Sequence, residues 1–198
     1  MASGREILAE GLARMAGAYA SLASCAAELD RLRGRFESIG PVDAARSCGK
    51  AVWISVLDMQ ERLVLGTMRE LGRFVSEAPG APKLVRVPNL GAGRMRDPPL
   101  IVVIMDGVRT SSAVARARDD LAAAREYLQS LLKLVDAARD DDPRGTRRQW
   151  RERLMRPYSA LDAGVRAMDR FARVLDFDLP LIAAFGLLAR PSSLEAFG

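Results

Sequence analysis

Histidine is absent from the 198 residues of this chain, which removes the usual general base and the commonest metal ligand in proteins. The only cysteines, Cys25 and Cys48, have no companion ligands at zinc-site spacing, so we expect two free buried thiols. No phosphate-binding loop or dinucleotide fingerprint occurs either. The sequence therefore predicts a protein that is not an enzyme and that has no metal and no cofactor.

Long hydrophobic runs are also missing. No uninterrupted apolar segment approaches the ~18 residues that a membrane-spanning helix needs. The first residues, MASGREILAEG, include acidic groups and have no long apolar stretch, unlike a signal peptide. We therefore expect a protein that does not associate with membranes, with the cytoplasm as the default location.

Aliphatic residues and alanine dominate what is present, because 49% of the chain is hydrophobic and only 6% aromatic. Apolar residues at helical spacing predict an N-terminal helix at 4–36, one long helix or a helical pair at 43–75, and helices at 113–138 and 158–175. We expect a single all-α domain over 1–198. Its fold is an antiparallel helix bundle of four core helices plus the N-terminal helix, with at most a minor short strand near 83–88.

Residues 76–99 interrupt the helical pattern with five prolines, and we interpret them as an ordered crossing loop rather than a domain linker. The apolar run 100–108 then fits a helix or a buried strand, and its Pro98-Pro99 lead-in favours the helix. Gly107 lies near its end, so we expect a helix pair, 100–108 and 113–138, with a basic tip. An apolar tail at 176–198 must fold back or pack against a neighbour.

Arginine supplies most of the basic charge, since only three of the 30 basic residues are lysine and the formal net charge is +5. A mildly basic protein with solvated arginines is one interpretation, and a polyanion-binding protein is the other. Arginine suits phosphate because its planar guanidinium can donate two parallel hydrogen bonds. Two clusters are the candidate phosphate-binding residues: Arg109, Arg116 and Arg118 at the expected tip, and Arg144, Arg147, Arg148 and Arg151 in a second basic stretch.

Four short motifs add a resemblance. They are the VRVP sequence at 85–88, the Asp97-Pro98 lead-in to the run ending at Arg109, the sequence RARDD at 116–120, and RPSSLE at 190–195. Their order is similar to that in coat proteins of rod-shaped plant RNA viruses, of the tobamovirus and benyvirus types. The resemblance implies a helical-bundle coat protein that assembles into a helical rod, located in the virion or the host cytoplasm.

The resemblance also implies roles for the site residues. The arginines of both clusters would lie at the inner radius of the rod and clamp single-stranded RNA without reading its sequence. Asp119 and Asp120 would orient those arginines or promote disassembly by repulsion. The returning radial helix is either 116–135 or 157–175, and we favour the second. Two alternatives stay open: a helical-bundle adaptor or regulatory protein, and a nucleic-acid-binding or membrane-surface protein that does not polymerise.

Overall fold

The computed structural model describes residues 4–39, 44–78, 80–86, 90, 95–96, 98–137 and 145–185. These residues form four long helices: α1 (Gly4–Ser38), α2 (Ala44–Ser76), α3 (Leu100–Ala137) and α4 (Thr146–Phe185). No strand occurs in this described part of the chain, so the prediction of an all-α helix bundle is confirmed. Residues 83–86, for which the sequence allows a short strand, form none.

The four helices are arranged in a ring, in which α1 packs against α2 and α3, and α4 packs against the same two helices. Phe36 near the end of α1 stacks on Trp53 near the start of α2, with ring centroids 5.8 Å apart. Arg35 similarly contacts Asp106 near the start of α3. Helix α1 is therefore antiparallel to both partners. Because α2 and α3 run in the same direction, the segment 77–99 connects opposite ends of the bundle.

Helix α3 runs without a break through Gly107, so the expected helix pair with a basic tip is wrong. Buried positions recur every seven residues through the whole helix, at 103, 110, 117 and 124 and at 107, 114, 121 and 128. Gly107 and Thr110 lie in phase with this repeat and inside the core. The Thr110 hydroxyl donates to the Asp106 carbonyl at 2.8 Å, so it bonds within the helix and does not cap a new one.

The number of helices also differs from the prediction of four core helices plus one. Residues 44–76 form one helix rather than a pair, and α4 joins the basic stretch to the predicted helix 158–175 through Pro157. Helix α1 is itself a core helix, since Leu22, Leu29 and Phe36 are fully buried. Of the two candidates for the returning helix, 116–135 belongs to the same unbroken helix, α3, as 100–109 and so cannot pack back against it. The other candidate, 157–175, lies in α4, which packs against α3.

Aromatic and cysteine side chains contribute to the core. Trp53 is completely buried, and Phe74 packs at the edge of the core. Burial, with a smaller contribution from Glu28, raises the pKa of the Cys25 thiol to about 12, so this cysteine stays protonated and packs as a small apolar residue. The side chain of Cys48 and the tail 186–198 lie outside the described residues.

Two buried acids lie near the end of the bundle where α1 meets α2. Asp106 is 3% exposed and accepts a hydrogen bond from Arg35 Nε at 2.8 Å, which joins α3 to α1. Glu61 is also buried, and its Oε2 lies 3.2 Å from Arg33 Nε, but neither atom has a well-aligned hydrogen bond. Asp30, Glu37 and Asp58 surround the same arginine. Asp106 therefore accepts a well-aligned hydrogen bond in the core, whereas Glu61 Oε2 accepts none.

Asp106→Asn is expected to lower the free energy of unfolding by about 3 kcal/mol, because it removes the charge of a buried carboxylate that is paired with Arg35 and lies near Arg109. Urea denaturation at pH 7 measures the change. Asp119→Asn is the matched control on the same helix; its carboxylate is exposed, so a loss below about 1 kcal/mol is expected. Equal losses in both variants would contradict the assignment.

Glu61→Gln is expected to stabilise the protein at pH 7. Burial outweighs the attraction of Arg33 and raises the pKa of Glu61 above its ordinary 4.5, so the folded state holds this proton more tightly than the unfolded state does. Wild-type stability should therefore fall, relative to the Gln variant, as pH rises through the window that opens near 4.5. Denaturation curves between pH 4 and 7 test this, and a less stable variant at pH 7 would disprove it.

Candidate nucleic-acid interface

The predicted RNA-binding arginines lie in two separate places. Arg109, Arg116 and Arg118 lie along the first half of α3, whereas Arg147 and Arg151 lie at the start of α4, beside Asp136 at the end of α3. Arg116 and Asp136 are 20 positions apart on one helix, which is about 30 Å at 1.5 Å per residue. The structure therefore does not bring the two clusters together. Arg144 lies outside the described residues.

Of the two carboxylates predicted to orient arginines, Asp119 contacts an arginine and Asp120 contacts a serine. Arg118 donates to Asp119 at 2.9 Å and lies 3.6 Å from Asp169 of α4. The hydrogen bond to Asp119 is the main reason why the pKa of Arg118 is raised. Asp120 instead accepts a hydrogen bond from Ser21 of α1. Asp119 thus holds an arginine and Asp120 joins two helices, while a role of either in disassembly stays a prediction.

The arginines at the start of α4 contact the end of α3 or their own helix. Arg147 donates to the Asp136 carbonyl at 2.6 Å, and Arg151 Nε lies 3.2 Å from the Asp136 carboxylate. Arg148 pairs with Glu152 within α4 at 2.9 Å. Cations at a helix C-terminus bind its free carbonyls and interact favourably with its dipole. These arginines therefore stabilise the junction of α3 and α4.

A ladder of polar contacts joins α3 to α4. Arg125 lies 3.1 Å from Asp162, Arg118 lies 3.6 Å from Asp169, and Ser111 donates to Asp176 at 2.9 Å. The three residues on each helix are seven positions apart, as expected for antiparallel helices that keep the same faces together. The sequence analysis missed this ladder, although the seven-residue spacing of Asp162, Asp169 and Asp176 is visible in the sequence.

The net charge is concentrated on two adjacent helices. Helices α1 and α3 each contain five basic and five acidic residues, whereas α2 contains five basic and three acidic, and α4 eight and five. Helices α2 and α4 thus hold charge equal to the whole formal +5 of the chain. These two helices pack against each other, although Arg147 and Arg151 of α4 contact the end of α3 and Lys50 of α2 contacts the end of α1.

Two rows of exposed arginines lie on α2 and α4, and together we call them the α2/α4 face. On α2 the row consists of Arg62, Arg69 and Arg73, and on α4 of Arg156, Arg166, Arg170 and Arg173. Arg69, Arg73 and Arg173 have no acidic partner among the described residues, whereas Arg156 pairs with Glu70 and Arg166 with Asp162. The contact of Arg156 with Glu70 reaches the other helix, whereas Arg62 pairs with Asp58 on its own helix. Only Arg116 is similarly unpaired among the predicted site residues that are described.

Comparison of the chain with protein-family models, with curated proteins and with solved structures finds no match. Among the described residues, no group of acidic and cysteine side chains is arranged to hold a metal ion. None of the described helices combines the length and apolarity that crossing a bilayer requires.

The contact between Arg125 and Asp162 tests the register of the ladder. A double-mutant cycle with Arg125→Gln and Asp162→Asn is expected to give a coupling free energy of about 0.5–1 kcal/mol, because the two partly buried charges interact directly. Thermal or urea denaturation of the four proteins measures it. Arg125→Gln combined with Asp176→Asn, two rungs away, should be additive within about 0.3 kcal/mol. Equal coupling in both cycles would disprove the register.

Proposed function

We propose that this protein is a non-enzymatic helical-bundle protein that binds single-stranded RNA through the α2/α4 face, by contacts between arginines and phosphates that do not depend on base sequence. The observation that carries the proposal is the pair of arginine rows on adjacent helices, several of whose members have no acidic partner. The lack of histidine in the sequence supports a binding role over a catalytic one.

Unpaired, exposed arginines favour this surface over the positions that the sequence suggests. An arginine already bound to a carboxylate must break that contact before it binds a phosphate, whereas Arg69, Arg73 and Arg173 have none to break. A guanidinium can donate two parallel hydrogen bonds to one phosphate group. Release of counterions from the nucleic acid adds to the affinity and makes it strongly dependent on salt. The α2/α4 face supplies the charge and the geometry for such binding.

A coat protein of a helical rod, as the resemblance implies, is the more specific form of this proposal, and it also requires self-association. One observation favours it. Ile101, Met105 and Val108 are 61%, 51% and 58% exposed and lie at successive turns of α3, so they form an apolar stripe. A stripe of this kind is typical of an interface with another protein. The second copy of the chain is the partner that rod assembly would place there.

Two matched double variants test the RNA surface. Arg69→Gln with Arg73→Gln is expected to weaken binding to a labelled single-stranded RNA and to lower the slope of log K against log salt concentration by about 1.4, because two phosphate contacts are lost. Arg109→Gln with Arg116→Gln removes the same charge from α3 and should change the slope little. Fluorescence anisotropy at several salt concentrations measures both. A loss confined to the α3 variant, or no binding by the wild type, would overturn the proposal.

Negative-stain electron microscopy of the same mixtures separates the coat protein from the non-polymerising bundle. Rods whose length follows the RNA length would support encapsidation. Met105→Lys should then abolish the rods while leaving the binding of short RNA unchanged, because it places a charge in the apolar stripe. Particles of one small size under all conditions would contradict the coat-protein form and leave the RNA-binding form standing.

A further inference from the structure

An apolar pocket lies at the end of the bundle where α2 and α3 end and α4 begins. Its volume is about 100 Å³. All four helices or their ends contribute to its lining, which consists of Leu12, Met15, Phe74, Ala78, Leu131 and Trp150. Only Glu77 and Arg153 bring charged groups to it. The pocket therefore suits a small apolar group and offers few hydrogen-bond partners to a polar one.

Trp150 at this pocket is half-exposed, at 50%. The guanidinium of Arg153 lies 5.9 Å from the centre of its ring, which is within range of a cation–π contact. A tryptophan buries more apolar area than most side chains when it is covered, and this one remains partly in contact with water. A ligand that fills the pocket would cover the ring and gain that area.

A second, polar cavity of about 320 Å³ adjoins the apolar pocket and shares Phe74, Glu77 and Arg153 with it. Arg156 is paired with Glu70 at 2.7 Å, and Arg153 is held by Glu77 only at 3.4 Å. Arg73 also lines this cavity and has no acidic partner among the described residues. Glu152, the third acid of this lining, pairs with Arg148 outside the cavity at 2.9 Å, so Arg73 is the one arginine of the lining that has no acidic partner among the described residues.

We propose that the two cavities together bind a small amphipathic carboxylate, such as a medium-chain fatty acid. Its alkyl end would occupy the apolar pocket against Trp150, and its carboxylate would bind Arg73 and Arg153. An apolar cavity of about 150 Å³ binds benzene, so the slightly smaller pocket fits the end of an alkyl chain better than a fused ring system. A nucleobase would leave its polar edges unpaired among these side chains, so the apolar pocket favours an alkyl group over a base, although Arg73 belongs both to this site and to the α2/α4 face.

Titration with octanoate, with Trp150 as the reporter, tests the site. Octanoate should protect Trp150 from quenching by acrylamide in a saturable way, whereas Trp53 is completely buried and contributes little to the change. The neutral analogue 1-octanol should bind about fivefold more weakly, as the loss of one exposed ion pair predicts, and acetate should give no protection. Equal affinity for octanoate and 1-octanol would overturn the proposed recognition of the carboxylate.

Three variants assign the two ends of the ligand. Ala78→Leu fills the apolar pocket and should abolish protection by both octanoate and 1-octanol. Arg73→Gln should reduce the affinity for octanoate to that for 1-octanol. Arg69→Gln is the matched control, since it removes an equally unpaired arginine one turn earlier that does not line the cavity. Unchanged octanoate binding in Ala78→Leu, or equal effects of the two arginine variants, would overturn the proposal.

Circular dichroism during thermal unfolding establishes that each variant folds, so that lost binding is not lost structure. The RNA measurements separate this site from the proposed function, because Ala78→Leu leaves every arginine of the α2/α4 face in place. RNA binding that persists in Ala78→Leu while octanoate binding is lost would support an apolar pocket that RNA binding does not require. Association with anionic lipid vesicles without any binding of free octanoate would overturn the proposal of a small soluble ligand.

Discussion

A seven-residue repeat of buried positions, continued through all four helices, is the constraint on which the rest of the structure depends. In α1 the positions 11, 18, 25 and 32 are buried, and in α4 the positions 154, 161, 168 and 175. A repeat of 3.5 residues per turn keeps one face of each helix against its partner along a gentle left-handed supercoil. Helices of 33 to 40 residues can therefore remain in contact over their whole length. The polar contacts Arg118–Asp169, Arg125–Asp162 and Ser111–Asp176 between α3 and α4 follow that register.

The register in which the helices pack also determines which arginines have an acidic partner and which do not. Between α3 and α4 it brings arginines of one helix opposite aspartates of the other, so most of the positive charge there is compensated. On α2 the arginines at 62, 69 and 73 lie opposite the buried positions of the same helix, so they face away from the core. The same packing leaves Arg69 and Arg73 of α2 in solvent with no acidic partner among the described residues.

The sequence alone predicts the fold class well and the candidate site poorly, for different physical reasons. Helical periodicity identifies most of each helix, but Gly107 and Pro157 are local signals for a break. In an isolated helix they cost about 1 and 3 kcal/mol, and burial in the repeat outweighs this cost. The arginines at 109–118 appear as a cluster only along the chain. Their neighbours in space, such as Asp169, are about 50 residues away in sequence, and no local pattern reveals them.

The two ends of the bundle differ in how tightly their side-chain contacts fix the positions of the helices. At the end where α1 meets α2, buried ion pairs such as Arg35–Asp106 allow few other arrangements, because a shifted helix would leave a charge unpaired in the core. At the opposite end the contacts around Met15 and Leu131 are apolar and tolerate small shifts in packing. A cavity is less costly there than beside a buried charge. The same difference explains why an apolar pocket and a half-exposed tryptophan occur together at that end.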